Sequence, residues 1–471
     1  MNRTLLTALL LSAAAPAFGQ QSISSLPPPV LADTNVATLR DNVLNNDHYA
    51  WDITEGLTTE VGQRLAATEA EGRARDWAVK RLTAMGFANV HVEPFSMPVW
   101  TRGPESAEIV SPFPQKLAIA ALGYSGSTGP AGVTGEIAYF DSVDALRLAP
   151  DSAVKGKIVF IDHHMMPTQD GSGYGQFGAP RRQGPTIASR KGALAIVVRS
   201  IGTDHHRNPH TGVQTFGAGA RPIPAAALSV PDAEQLQRIL ARGQTVRMHL
   251  VLTPRNTGTH QSGNVIADVP GTDPSAGMIV IGGHLDSWDL GTGAIDDGAG
   301  IAIAAAAAHR IMQAGPPRRT IRVVMFGAEE PGGLGGASLY ARHHPGDNVV
   351  LVAESDFGAD RVWRVNPGLA PANAALADRI AALLAPLGIL RGREPADAGT
   401  DLGPWVRGGV AAVDLNQDGT RYFDYHHTPD DTLDKIDLAQ LRQNVAAWTA
   451  MLAAAADAPE AIAGITPRPE R

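Results

Sequence analysis

Between residues 39 and 86 the apolar positions recur with a helical period. Ala74, Ala78 and Leu82 stand four apart with Trp77 and Met85 beside them, and Gly86 is placed to close the helix. Residues 88–95 then alternate apolar and polar, which predicts a strand. From about Pro112 to Leu252 the character changes. Short β-like runs at 157–161, 194–198, 226–230 and 245–251 sit between Gly- and Pro-rich stretches, and 166–185 shows no convincing period. A separate β-rich unit inserted into the first one is expected there. At Asn264 an α/β rhythm returns, with apolar runs of strand length at 278–282, 320–326 and 349–356. Helical patterns occupy 299–313, 373–387 and 438–456. Strands alternating with helices predict an α/β fold built on a mostly parallel sheet with helices on both faces. No internal repeat is present.

Length adds a domain estimate. At about 150 residues per domain, 471 residues make roughly three units, or two with one large. The expected division is a signal peptide at 1–19, a linker at 20–34, and a first catalytic part at 35–111. An insert at 112–258, a second catalytic part at 259–458 and a frayed tail at 459–471 complete it. A 44% hydrophobic content excludes a wholly disordered chain. With 39 basic against 47 acidic side chains, the net charge of −8 argues against a general nucleic-acid binder. Arg3, the apolar run 5–16 and Ala17-Phe18-Gly19 read as a cleaved export signal. That run is shorter than the ~20 residues a spanning helix needs, and no later segment is long and apolar enough either. A periplasmic or secreted bacterial protein is expected. The chain has no cysteine, so any metal must be held by His, Asp and Glu.

Polar residues at the carboxyl ends of buried parallel strands are where α/β proteins place their sites. Gly282-Gly283-His284-Leu285-Asp286-Ser287 follows the first strand, and Asp296-Asp297-Gly298 opens the small-residue helix after it. Glu329-Glu330 ends the second strand and Glu354-Ser355-Asp356 the third. Tyr425-His426-His427-Thr428-Pro429-Asp430-Asp431-Thr432 comes much later. Each has a plain explanation when taken singly. Asp-Asp-Gly is ordinarily a turn with an N-cap, Glu329-Glu330 a solvated strand end, and His426-His427 a loop pair. Together, convergent acids and imidazoles at the ends of one sheet require a cation to compensate them.

This set is similar to that of the co-catalytic di-zinc peptidases, a family that includes secreted bacterial aminopeptidases, glutamate carboxypeptidases and carboxypeptidase Q. The twelve-residue spacing from His284 to Asp296 matches the family as well. The stretch from Gly399-Thr400-Asp401 to Thr432, with its His-His pair, most resembles the carboxypeptidase Q branch. The resemblance implies two Zn²⁺ per chain, other divalent metals remaining open. His284 and Asp356 would hold one ion, Glu330 and His427 the other, and Asp296 would bridge them. The charges agree: two Zn²⁺ carry +4, the three carboxylates −3 and a bridging hydroxide −1. Glu329 is implied as general base toward metal-activated water, and Asp286 is placed to accept the other N–H of His284. In the position where the family often has an oxyanion-donating Tyr, this chain has His426, with Tyr425 one residue earlier. Asp401 is a candidate substrate contact.

Other signals are set aside. Gly291-Thr-Gly293 lacks the third glycine of a dinucleotide loop. Asp414–Gly419 begins like a calcium loop but has Tyr425 where the final Glu belongs. His163-His164, His205-His206 and His210 are expected as exposed loop histidines. The insert resembles a protease-associated domain. The expected function is an exported metallo-exopeptidase that hydrolyses a terminal peptide bond in short peptides, dipeptides first. A homodimer and the choice between amino and carboxy terminus stay open. Two alternatives are a glutaminyl-cyclase-like transferase, which normally uses one metal, and a non-catalytic receptor or scaffold.

Overall fold

A computed structural model describes residues 32–342 and 347–465; the expected signal peptide, most of the linker and the end of the tail lie outside them. The sequence folds around two eight-stranded sheets. The first runs in the order Ala88–Thr101, Arg255–Val269, Thr320–Phe326, Met278–His284, Val349–Glu354, Ala411–Gln417, Val362–Gly368 and Leu390–Arg391. Thr320–Phe326, Met278–His284, Val349–Glu354 and Ala411–Gln417 lie parallel. Arg255–Val269 runs antiparallel to that core and to Ala88–Thr101 on its other side, and Val362–Gly368 is antiparallel to Ala411–Gln417.

From Met278–His284 the chain crosses to Thr320–Phe326 on one side, then returns to Val349–Glu354 on the other. That reversal opens a crevice at the carboxyl end of Met278–His284, where α/β sheets bind ligands. The strands there are buried on both faces, which explains their continuous apolar runs. Ala299–Ala314, rich in Ala and Ile, and Leu438–Ala456 pack on the sheet and are buried nearly throughout. Small side chains let these helices come close. A Cβ on Gly300 would collide with the Ser355 carbonyl and the Asp297 carboxylate.

The second sheet takes in residues 105–252 in the order Gln115–Leu117, Glu105–Ser111, Arg247–Leu252, Val133–Phe140, Ile158–Ile161, Ala195–Arg199, Ala225–Leu228 and Ile119–Ala121. It therefore begins at Glu105, ahead of the expected boundary at 112. Val133–Phe140 through Ala225–Leu228 run parallel, with helices such as Val143–Leu148 and Gly184–Arg190 between them. Residues 172–190, for the most part in a stretch without visible period, form three short helices separated at Gly178 and Gln183.

The tail departs from expectation. Residues 459–465 are not frayed. Arg318 donates to the carbonyls of Ala458 and Pro459 at 2.8 Å, Arg319 donates to that of Glu460, and Ala463 exchanges hydrogen bonds with Asn373 and Ala370. These are contacts to backbone carbonyls and amides, which no side-chain pattern in the tail announces.

Candidate metal centre

Met278–His284 is paired on both edges, so its last residue arrives in a fixed place. His284 is 1% exposed. Its Nε2 lies 3.0 Å from Asp296 Oδ1 and 3.4 Å from Asp356 Oδ1. Gly283 precedes it because a Cβ would run into the Asp297 carboxylate. Asp297 accepts the His284 backbone N–H at 3.0 Å, so the second acid of the Asp-Asp pair holds the strand exit while the first faces the crevice.

The segment carrying Asp296 is suspended between two buried charges. Asp431 Oδ1 accepts from the amides of Ala294 and Ile295, both at 2.7 Å. Arg64, fully buried, donates to the carbonyls of Thr292 at 2.7 Å and Gly293 at 2.8 Å, and to that of Leu285. Burial lowers the Arg64 pKa, and the surrounding carboxylates, Asp431 foremost, oppose that fall. Asp431 is raised to about 7, by burial first and by the nearby Asp296 second.

On the other side of Asp296, His427 Nε2 stands 3.1 Å from Asp296 Oδ2 and 3.0 Å from Glu330 Oε2. His427 has φ +59°, a left-handed conformation that costs a non-glycine residue on the order of 1 kcal/mol or more. The Thr211 amide, donating to the His427 carbonyl at 3.0 Å, helps to hold it there. Glu329 and Glu330 leave their strand together, and both backbone amides donate to Asp286, at 2.9 and 3.3 Å. Asp286 thus differs from expectation. His284 Nδ1 is nearest to the Asp286 backbone carbonyl, at 2.9 Å, and 3.4 Å from its Oδ1, because the carboxylate is turned to the amides of the neighbouring strand end.

The electrostatics follow from burial. Glu329 is pushed well above the usual carboxylate range by desolvation, with Asp356 and Glu330 adding to the shift. Glu330 rises to about 7 by burial. Burial would lower His284 and His427, but Asp356 and Glu330 respectively lead the interactions that lift both well above the usual imidazole range. The donor set fits divalent cations. Among the described residues three groups, His284 with Asp296 and Glu330, His284 with Asp297 and Asp356, and His210 with His426 and His427, each offer ligand atoms within 4.8 Å of one another. Asp296 Oδ2 and Glu330 Oε1 are buried without a hydrogen-bond partner, as carboxylate oxygens reserved for a cation would be. All ligands are hard carboxylates or imidazoles, suited to zinc and its divalent neighbours.

Two expected contacts are not brought to this centre. Asp401 is fully buried in the first turn of Gly399–Arg407 and accepts the Gly336 amide at 2.7 Å, so it secures another helix and offers no exposed group to a substrate. The ring of Tyr425 lies between the Arg421 and Lys435 cations, at 5.9 and 5.7 Å. His426 does reach the centre, its Nε2 3.3 Å from Asp296 Oδ2. His210, expected as an exposed loop histidine, is 1% exposed and joins His426 at 2.8 Å. Tyr422 was not singled out either, although it is buried and its ring lies tilted against that of His426, centroids 4.8 Å apart. Burial and the charges of Asp296 and Asp356 drive its phenol well above the ordinary range.

The sequence profile of Peptidase family M28 matches residues 264–452. Carboxypeptidase Q of Bos taurus is 34% identical over 407 residues, covering 86% of this chain and 84% of that protein. The chain belongs to peptidase family M28. Among its M28 relatives, carboxypeptidase Q of Homo sapiens is 33% identical over 86% of this chain and 84% of its own length. The crystal structure of a peptidase M28 precursor from Shewanella amazonensis SB2B superposes with a TM-score of 0.87 at 42% identity, covering 90% of this chain and 96% of that one. The zinc aminopeptidase BSAP of Bacillus subtilis shares the fold at 19% identity, with a TM-score of 0.63 over 86% of this chain and 94% of that one. The M28 chain is a metal-dependent exopeptidase, a hydrolase of peptide bonds. Among the described residues no helix is long and apolar enough to cross a membrane.

Proposed function

We propose that this exopeptidase binds two Zn²⁺, one between His284 and Asp356 and the other between Glu330 and His427, with Asp296 bridging. Asp296 carries the reading. Its Oδ1 faces His284 at 3.0 Å and its Oδ2 faces His427 at 3.1 Å, one oxygen for each half of the site. When bound, the ion pair acidifies water and polarises the scissile carbonyl.

The chain's own groups do the rest. Glu329, held by Asp286 through its backbone amide, takes a proton from the attacking water on a carboxylate oxygen and passes it to the leaving amine. His426 directs Nε2 into the same space, where an N–H would stabilise the charge developing on the carbonyl oxygen. Substrates are short peptides cut at a terminal bond, dipeptides first, in keeping with the carboxypeptidase Q likeness over most of the chain. Residues 1–19 serve as an export signal, and the second-sheet unit, from Glu105 rather than 112, forms a protease-associated insert.

Product analysis tests the reading. Free, N-acetylated and C-amidated short peptides are incubated with the mature protein plus zinc or a chelator. Zinc-dependent cleavage is expected. A required free amine makes the enzyme an aminopeptidase or dipeptidase, whereas tolerance of the acetyl group with a required carboxylate makes it a carboxypeptidase. No metal-dependent cleavage of any of the three overturns the reading.

A further inference from the structure

Beside the proposed metal ligands lies a buried histidine outside that ligand set, His210, whose ring nitrogen comes within 4.8 Å of those of His426 and His427. His210 follows the Ala195–Arg199 strand of the second sheet, 216 residues before its partner in sequence. Its loop packs against the loop of His426 and His427. Thr203 Oγ1 donates to Asp424 at 2.6 Å, Asn208 Nδ2 to Asp430 at 2.7 Å, and the Thr211 amide to the His427 carbonyl at 3.0 Å. The His210 ring lies nearly parallel to that of His427, 11° apart with centroids at 4.8 Å. Its Nε2 meets His426 Nδ1 at 2.8 Å, and the other nitrogen of His426 faces Asp296.

The proton positions along this chain follow from satisfaction of buried polar groups. His210 Nδ1 is buried and has no partner. A proton there would be an orphaned donor, and removing it to Nε2 leaves only a bare lone pair while creating a hydrogen bond. With the proton on His210 Nε2, His426 Nδ1 must accept. Neutral His426 then carries its own proton on Nε2, the nitrogen turned toward the reacting space.

We propose that His210, supplied by the inserted unit, is a positioning residue that locks His426 in the Nε2–H tautomer, so that His426 can donate to the oxygen of the scissile carbonyl. The inference rests on the exopeptidase reading and on His426 as the oxyanion donor. It gives the insert a part in the chemistry: without its loop the donor's tautomer is unset. An imidazole pair thus does the work for which this family often uses a tyrosine hydroxyl.

The test uses the zinc-loaded full-length mature enzyme and the variants His210→Phe, His210→Gln and His426→Phe. Four quantities are read for each: kcat, KM, zinc per chain, and the Ki of a phosphinate dipeptide, whose tetrahedral oxygens mimic the reacting centre. His210→Phe is expected to lower kcat by roughly 10- to 100-fold, a share of the ~10²–10³-fold that a lost oxyanion donor costs. KM and zinc content should hold, and the phosphinate Ki should weaken by about the same factor as kcat. His210→Gln, whose amide N–H can still donate to Nδ1, should recover most of that loss. The His210→Phe/His426→Phe double variant should be no worse than His426→Phe alone. Wild-type kcat in His210→Phe overturns the proposal. So does equal damage in Phe and Gln accompanied by zinc loss or a lowered melting temperature, which would make His210 merely structural. Absence of zinc-dependent cleavage in the wild-type enzyme is a separate result and overturns the exopeptidase reading. ¹⁵N shifts of His426 remain decisive in that case, since an Nδ1–H tautomer in the wild-type protein overturns the His210 assignment by itself.

Discussion

Asp286 receives the backbone amide of Glu329 at 2.9 Å, so the strand that delivers His284 also sets the height of the proposed base. One carboxylate links two strand ends, taking the Glu330 amide at 3.3 Å as well. Asp286→Ala should leave two buried amides unpaired and let the Glu329-Glu330 turn drift. A fall of about 10- to 100-fold in kcat is expected, with weaker zinc binding, as when a residue supporting a metal ligand is lost. Steady-state kinetics together with zinc titration check it. Unchanged values in both would mean that the turn is held by other contacts.

Glu329→Gln keeps the shape of the site while removing the proton acceptor. Two zinc ions per chain should remain, and kcat should fall about 10²–10⁴-fold, the usual worth of a general base. Metal analysis beside kinetics separates the two properties. Activity near that of the wild type would remove Glu329 from this role.

Asp296→Ala takes away the residue whose two oxygens face His284 and His427. Zinc content should drop below two per chain, with activity lost in parallel. A variant that still holds two ions after dialysis would show that Asp296 does not bridge.

Arg64 donates to backbone carbonyls of Leu285, Thr292 and Gly293 from a fully buried position. Arg64→Met strands those carbonyls and leaves the neighbouring acids without their cation. About 3–5 kcal/mol of stability should be lost, visible as a lower midpoint in urea unfolding of the zinc-free protein. A shift under about 1 kcal/mol would show that water replaces the guanidinium.

Glu71 is fully buried, paired with Arg75 at 2.9 Å, yet raised by burial from 4.5 to about 8. Because its folded pKa is the higher one, the native state binds this proton more tightly than the unfolded chain does. The resulting stability is complete below about pH 4.5 and is lost as pH rises through about 8. Glu71→Gln should therefore gain melting temperature relative to the wild type as pH increases from 5 to 8. Parallel melting curves at every pH would contradict the shift.

Much of the metal centre was legible in residue order, because the determinants are local. His284, Asp296, Glu330 and Asp356 each lie at or just beyond an apolar run or turn that places them at strand ends, and the twelve-position step from His284 to Asp296 spans one such turn. The central strands were equally clear, since burial on both faces demands an unbroken apolar run. Val362–Gly368 and Ala411–Gln417 were not. They lie toward one edge of the sheet and carry Arg, Asn and Asp among their apolar residues. The helices within 166–185 are broken by glycine and proline, which erase any period. What residue order left open was which distant groups would meet. Arg64 reaches carbonyls 221 and more residues away, and His210 crosses 216 residues to His426. Neither pairing has a period or a spacing, because each arises from the packing of one unit against another. A histidine in a polar loop reads as solvent-exposed until the fold closes over it, and only that burial turns His210 from a surface group into part of the reacting site.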